Sequence, residues 1–139
     1  MASLPQSTGL IPHLTVDGAI AAIEFYTQAF DAKELFRAPA EDGKRLMHAS
    51  MQIGHSVIFL NDDFPEMCGG VSRHPNALRA VPMRLHQNVS DVDTAHAKAV
   101  RAGATTVLAP ADMFWGDRYS IVKDPFGHEW SFSTPIKPS

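Results

Sequence analysis

Two histidines and a glutamate are the residues whose types and placement could hold a metal ion. Shifting the sequence against itself by 73 residues places His13 on His86, and Glu129 begins the last strand-like segment. Alternate side chains of a β-strand share one face, so all three can project into one groove. Two imidazoles and a carboxylate at one level would form an open triad suited to iron, manganese or zinc. The alternative is that both histidines are hydrogen-bonded core residues and Glu129 points to solvent.

Two arginines are candidates for binding an anionic substrate, because a guanidinium offers two parallel hydrogen bonds to a carboxylate or phosphate. Arg118 coincides with Arg45 under the same shift, which favours a shared folding role, and Asp117 beside it could be its ionic partner. Arg84 coincides with Ile11 and has no arginine counterpart. Arg84 is therefore the better candidate for a substrate anchor.

Three aromatic residues could form a wall of the same site. Phe114, Trp115 and Tyr119 lie in a loop and at the start of the strand that follows it. They could stack on an aromatic or apolar ligand, or pack in the core. Ser131 shares one side of the last strand with Glu129, and polar residues on an inward side indicate a cavity.

The other histidines and the single cysteine do not suggest chemistry. His48, His74 and His96 have no partner at ligand spacing, and His55 lies in a predicted turn, as does His128. Cys68 excludes an intrachain disulfide, and with two glycines beside it we interpret it as a linker thiol rather than a nucleophile.

The elements that position these residues follow from an internal repeat. The 73-residue shift gives ten identities across residues 13–61 without a gap, and such self-similarity indicates a duplicated unit. Each copy reads as a strand, an amphipathic helix and three further strands. The sequence therefore predicts an α+β fold with two βαβββ modules in one domain spanning residues 1–139. Module one is residues 10–61, the connection residues 62–82 and module two residues 83–135.

Local signals define the predicted helices. Asp17 can cap the first helix, Ser90 and Asp93 fit a capping box at the second, and Gly103 supplies its left-handed end.

Composition excludes several classes of partner. Net charge is −3, and lysines and arginines are scattered apart from Lys44-Arg45, so no nucleic-acid surface is expected. No apolar run is long enough to span a membrane, and residues 1–9 lack a basic region followed by an apolar stretch. We therefore expect a cytoplasmic protein with no membrane partner.

Several motifs carry a family resemblance. Residues 113–119 (MFWGDRY) lead to residues 124–131 (DPFGHEWS), and residues 11–17, 23–26 and 64–70 fit the same pattern. Together they resemble the PhnB-like branch of the vicinal-oxygen-chelate superfamily, which contains glyoxalases, bleomycin-resistance proteins and extradiol dioxygenases. The resemblance covers residues 10–134. It implies two modules curling into an incomplete barrel, a homodimer, and a small-molecule site in the concave groove.

The resemblance does not imply one reaction, because the superfamily hosts several chemistries. Matching its usual metal-ligand positions gives Ile11, Ile58, Arg84 and Ser131, none of which is a good ligand, so glyoxalase I activity at that site is not expected. We expect a protein that binds a small polar organic molecule. The alternatives are a metal-assisted lyase, isomerase or dioxygenase using the displaced histidines and glutamate, a metal-free protein that sequesters a drug or metabolite, and a protein acting only through protein contacts.

Overall fold

The structure is a computed structural model that describes residues 9–137. The first module contains β1 (His13–Val16), α1 (Ala19–Phe30), β2 (Lys33–Pro39), β3 (Leu46–Ile53) and β4 (Ser56–Asp62). The connection contains a short 3-10 helix (Pro65–Met67) and α2 (Pro75–Leu78). The second module contains β5 (Arg84–Asn88), α3 (Val92–Ala102), β6 (Thr105–Asp112), β7 (Asp117–Lys123) and β8 (Glu129–Pro135). Within residues 9–137, no helix has the length and apolar character needed to cross a membrane.

The strands form two four-stranded sheets with the same order. The first sheet runs β1-β4-β3-β2 and the second β5-β8-β7-β6, with β1 parallel to β4 and β5 parallel to β8. The sheets do not close into a barrel. Helices α1 and α3 pack against each other, and the main apolar core lies between them and the sheets. This architecture confirms the predicted α+β fold of two βαβββ modules.

The start of α1 is stabilised by a residue distant in sequence. Asp17 does not cap the helix; instead the buried carboxylate of Asp62, at the end of β4, accepts hydrogen bonds from the backbone N–H groups of Gly18 (2.7 Å) and Ala19 (2.8 Å). A carboxylate is well placed there because the N-terminus of a helix carries unpaired N–H groups and partial positive charge. At α3 the cap is Asp91, whose side chain accepts from the Thr94 N–H at 3.0 Å, so the predicted capping pair was one residue off.

The repeat does not keep its register to the last strand of each module. His13 pairs with Phe59, whereas His86 pairs with Ser131. The sequence distance between the paired residues is therefore one residue shorter in the second module. A one-residue offset places a side chain on the opposite face of a sheet. Ile58 consequently joins the core on the helix side, whereas Ser131 faces away from the helices. The 73-residue shift matches Ser131 with Ile58, but the two residues lie on opposite faces of their sheets, so treating them as equivalent positions was wrong.

The connection between β7 and β8 belongs to the second module and packs against the first. It has five residues, 124–128, whereas the β3–β4 connection has only the two residues 54 and 55. The Asp124 carboxylate is buried and accepts from the Tyr26 hydroxyl on α1 at 2.6 Å and from the Trp130 indole N–H at 2.9 Å. Burial and the adjacent Asp124 charge raise the pKa of Tyr26 well above its usual value, which keeps the hydroxyl a donor.

The inter-module connection also packs on this turn. The Asn76 side-chain amide of α2 donates to the Pro125 carbonyl at 3.1 Å. Gly127 has a φ of +93°, and a Cβ there would lie 2.6 Å from the Asn76 side chain. Only glycine suits that position, because both its backbone conformation and the close approach exclude a side chain.

Candidate functional site

The second sheet has a polar face directed away from the helices, which we call the second-sheet face. It is defined by His86 on β5, Tyr119 on β7, and Ser131 and Ser133 on β8. These residues share a face because His86 is paired with Ser131, and Tyr119 with Ser133, across adjacent strands. Trp130 and Phe132, which alternate with the serines along β8, point to the other side and pack against Phe30 of α1.

His86 is held at both ring nitrogens. Nδ1 lies 2.8 Å from the Ser131 hydroxyl and Nε2 lies 2.8 Å from the Ser133 hydroxyl. The Ser133 hydroxyl donates to the Asn88 side-chain oxygen at 3.3 Å, so it accepts from His86 Nε2–H. The two hydroxyl contacts hold the imidazole ring in one orientation.

An aromatic series extends from this histidine along the face. The His86 and Tyr119 rings are stacked at 6.1 Å between centroids, and the Tyr119 and Trp115 rings meet edge to face at 5.8 Å. Phe114 continues the series at 5.1 Å from Trp115. Trp115 is 52% exposed and Phe114 98% exposed. The sequence left ligand stacking and core packing open for these rings, and in the structure both keep surface exposed for a ligand.

The two candidate arginines have different environments. The Arg84 side chain is 51% exposed, and within residues 9–137 its one ion pair runs from Nε to Glu129 at 3.1 Å. Arg118 bonds to Asp93 through two nitrogens and to Asp112 through a third. These hydrogen bonds raise the pKa of Arg118 and occupy its guanidinium. Its partners are Asp93 and Asp112 rather than the expected Asp117, and Arg84 keeps free donors for an anion.

The residues proposed for a metal do not come together in this chain. His13 lies on the first sheet, His86 is bonded to two serines and Glu129 to Arg84. Across residues 9–137 no group of three or more His, Cys, Asp or Glu side chains is placed to hold a metal ion. The other residues matched to the family's usual ligand positions, Ile11, Arg84 and Ser131, supply no suitable set either. The described residues therefore do not fit a metal centre held by one chain.

A second histidine beside His13 was missed by sequence reasoning. His48 projects from β3 and its ring lies 5.9 Å from that of His13, with Phe59 at 4.6 Å from His48. Burial and the His13 charge lower the pKa of His48. The signal that could have found this pair is strand order, because β4 alone lies between β1 and β3.

Comparison with known proteins places this arrangement in a broad family. Residues 10–132 match the model of the Glyoxalase/Bleomycin resistance protein/Dioxygenase superfamily. An uncharacterized protein of Mycobacterium bovis is 52% identical over 92% of this chain and 84% of its own length. TioX from Micromonospora sp. ML1 has a similar structure, with a TM-score of 0.71 and 25% identity, covering 94% of this chain and 100% of TioX. The PhnB protein of Bacillus cereus shares the fold at a TM-score of 0.65 and 14% identity, covering 91% of this chain and 98% of that protein.

Proposed function

The chain belongs to the glyoxalase/bleomycin resistance protein/dioxygenase superfamily, and on that premise we propose that it binds a small, polar, partly flat organic molecule on the second-sheet face. The observation that carries the proposal is the joining of an exposed aromatic series to a fixed polar group. Trp115 and Tyr119 supply ring faces, and His86 with its two serine hydroxyls supplies an oriented polar end. Ligand sites commonly combine apolar walls with a few convergent polar groups.

Arg84 would supply the charge selectivity of this site. It lies on β5 beside Glu129 and its terminal nitrogens form no hydrogen bond within residues 9–137. A ligand carboxylate or phosphate could take two of these donors. Ser131 would act through His86 rather than directly, because it is 2% exposed. Arg118 would support the loop through its aspartates.

Binding, rather than a particular reaction, is the function that these residues support. A metal-assisted lyase, isomerase or dioxygenase would need a group of ligands that residues 9–137 of one chain do not bring together. Sequestration of a drug or metabolite requires only the binding surface. We further propose that the protein acts as a cytoplasmic homodimer.

The test is a thermal-shift screen of aromatic and aliphatic carboxylates, phosphates and neutral analogues. A ligand that binds only the native state raises Tm, by an amount equivalent to about 2.7 kcal/mol at a concentration of 100 Kd. We expect at least one anionic, flat compound to raise the Tm of the wild type but not that of Trp115→Ala or Arg84→Gln. Phe36→Ala, which changes an exposed ring on the first sheet, is the matched control and should keep the full shift. The proposal fails if no compound raises Tm, or if the shift persists in both variants of the site.

A further inference from the structure

The two modules meet along a boundary that is closed on one side and open on the other. On the closed side, the His128 ring lies 2.9 Å from the Thr15 carbonyl of β1. The 73-residue shift relates these residues to His55 and Asn88. His55 and Asn88 form no such bond, and both instead line an open cleft of about 1230 Å³ between the modules. We call this space the boundary cleft.

Connection length explains the difference between the two sides. On the closed side, residues 124–128 fill the boundary. Pro125 packs beside Gly103 at the end of α3. The ring centroid of Phe126 lies 6.2 Å from that of Phe25 on α1. On the open side the two-residue turn at Gly54 and His55 cannot reach across. Phe30, which the 73-residue shift relates to Gly103, lies in the wall of the cleft. Gln52 and Ile53, which the 73-residue shift relates to Pro125 and Phe126, extend β3 instead, and the boundary cleft is the space that this difference leaves unfilled.

The lining of the boundary cleft has an apolar floor and cationic sides. Phe30 and Trp130, with ring centroids 4.5 Å apart, form part of the floor together with Ile58. Lys33 lines the cleft and makes no ion pair within residues 9–137. The acidic residue in the lining, Asp31, is paired with Lys98. This positive site lies in a chain with a net charge of −3.

Gln87 adds an unsatisfied donor. Gln87 lines the boundary cleft, and its amide nitrogen is buried with no hydrogen-bond partner within residues 9–137. Buried polar groups are nearly always paired, so an unpaired donor in a cavity wall favours an acceptor atom supplied from outside the chain.

Arg84 and His86 of β5 line the boundary cleft as well as the second-sheet face, so the two surfaces adjoin along this strand. We propose that the boundary cleft is a second ligand site, beside the second-sheet face, that takes a small carboxylate with an apolar body. The apolar body rests on Phe30, beside the buried Trp130 ring, in the space that Pro125 and Phe126 fill on the closed side. The carboxylate is paired with Lys33. Trp115 and Tyr119 are outside this lining, so binding here does not require the aromatic series of the second-sheet face.

The two tryptophans allow the sites to be tested separately. Trp115 lies on the second-sheet face and Trp130 lines the boundary cleft, so Trp115→Phe leaves Trp130 as the only tryptophan. Octanoate and octan-1-ol, which do not absorb, are titrated into this variant while Trp130 emission is followed. We expect saturable binding of octanoate, with octan-1-ol binding roughly tenfold more weakly because it lacks the charge, a difference of about 1.4 kcal/mol.

Variants at the mouth of the cleft complete the test. Lys33→Gln should weaken octanoate binding roughly tenfold and leave octan-1-ol unchanged, whereas Lys44→Gln, at an exposed lysine elsewhere, should change neither. Ser56→Phe, at an exposed position in the lining, should block both ligands. Unchanged Tm values show that the variants fold. The proposal is overturned if Trp130 emission shows no saturable change, if Lys33→Gln binds octanoate as tightly, or if Tyr119→Ala abolishes binding while Lys33→Gln does not.

Discussion

Histidine residues in the second module show how surroundings decide the role of one residue type. His86 and His96 each bond to two hydroxyl groups, and both lie near the second sheet. His86 is on the face away from the helices and keeps an exposed ring edge. His96 is buried on α3, between Ser120 and Thr106. Its role is structural, and burial lowers its pKa despite the opposing effect of Asp93.

Stability should therefore fall in mild acid, partly through His96. The folded protein holds His96 neutral, whereas the unfolded chain binds a proton near pH 6.5, so the contribution is fully present above that pH and is lost as pH falls below it. Urea unfolding at pH 7.5 and pH 5 measures the loss. We expect His96→Gln to lose less free energy of unfolding between the two pH values than the wild type. His55→Gln, at an exposed histidine, should behave like the wild type; an equal loss in His96→Gln would contradict the assignment.

At the scale of elements, the β7–β8 connection determines how the modules dock. Asp124 receives two side-chain donors, from Tyr26 and Trp130, and two backbone donors, from Phe126 and His128. A buried carboxylate needs this many partners, because each one it lacks leaves charge without solvation. Of these four hydrogen bonds to Asp124, the one from Tyr26 connects the two modules.

Removing that hydroxyl should destabilise the whole domain. We expect Tyr26→Phe to lower the free energy of unfolding by about 1.5–3 kcal/mol, the usual range for a hydrogen bond to a charged group. Tyr119→Phe is the matched control: its hydroxyl has no hydrogen bond within residues 9–137, and its effect should stay within about 0.5 kcal/mol. Denaturant unfolding compares the two, and equal effects would refute the docking role.

At the scale of the whole molecule, both sheets leave apolar side chains uncovered on the faces away from the helices. Phe36 and Leu108 are exposed on edge strands, and Phe114 and Trp115 at the β6–β7 loop. Phe114 and Trp115, whose rings are in contact, form an exposed apolar patch of the kind that commonly marks a protein interface. This supports the proposed homodimer.

Sedimentation velocity at micromolar concentration should show a dimer. We expect Phe114→Ser to shift the equilibrium toward monomer, because this ring exposes 98% of its surface in the isolated chain. Met67→Ser, at an exposed residue of the inter-module connection, should leave the dimer intact. A wild-type monomer at all concentrations, or an unaffected Phe114→Ser, would refute the proposed interface.

The two modules could be predicted from the sequence, because their signals are local. Strand alternation, helix periodicity and the turn motif of residues 124–127 act over a few residues, and the repeat doubled each signal. The order of elements and the α+β fold were therefore predicted correctly, and the family followed from short motifs.

The contacts between side chains distant in sequence could not be predicted and emerge from the fold. Asp124 bonds Tyr26 across 98 positions, and His48 joins His13 through strand order rather than spacing. The side of the sheet on which Ser131 lies depended on the β7–β8 connection, which is three residues longer than the β3–β4 connection. These outcomes depend on long-range pairing, and a shift of one residue inverts a strand's faces without changing the local pattern that sequence reasoning uses.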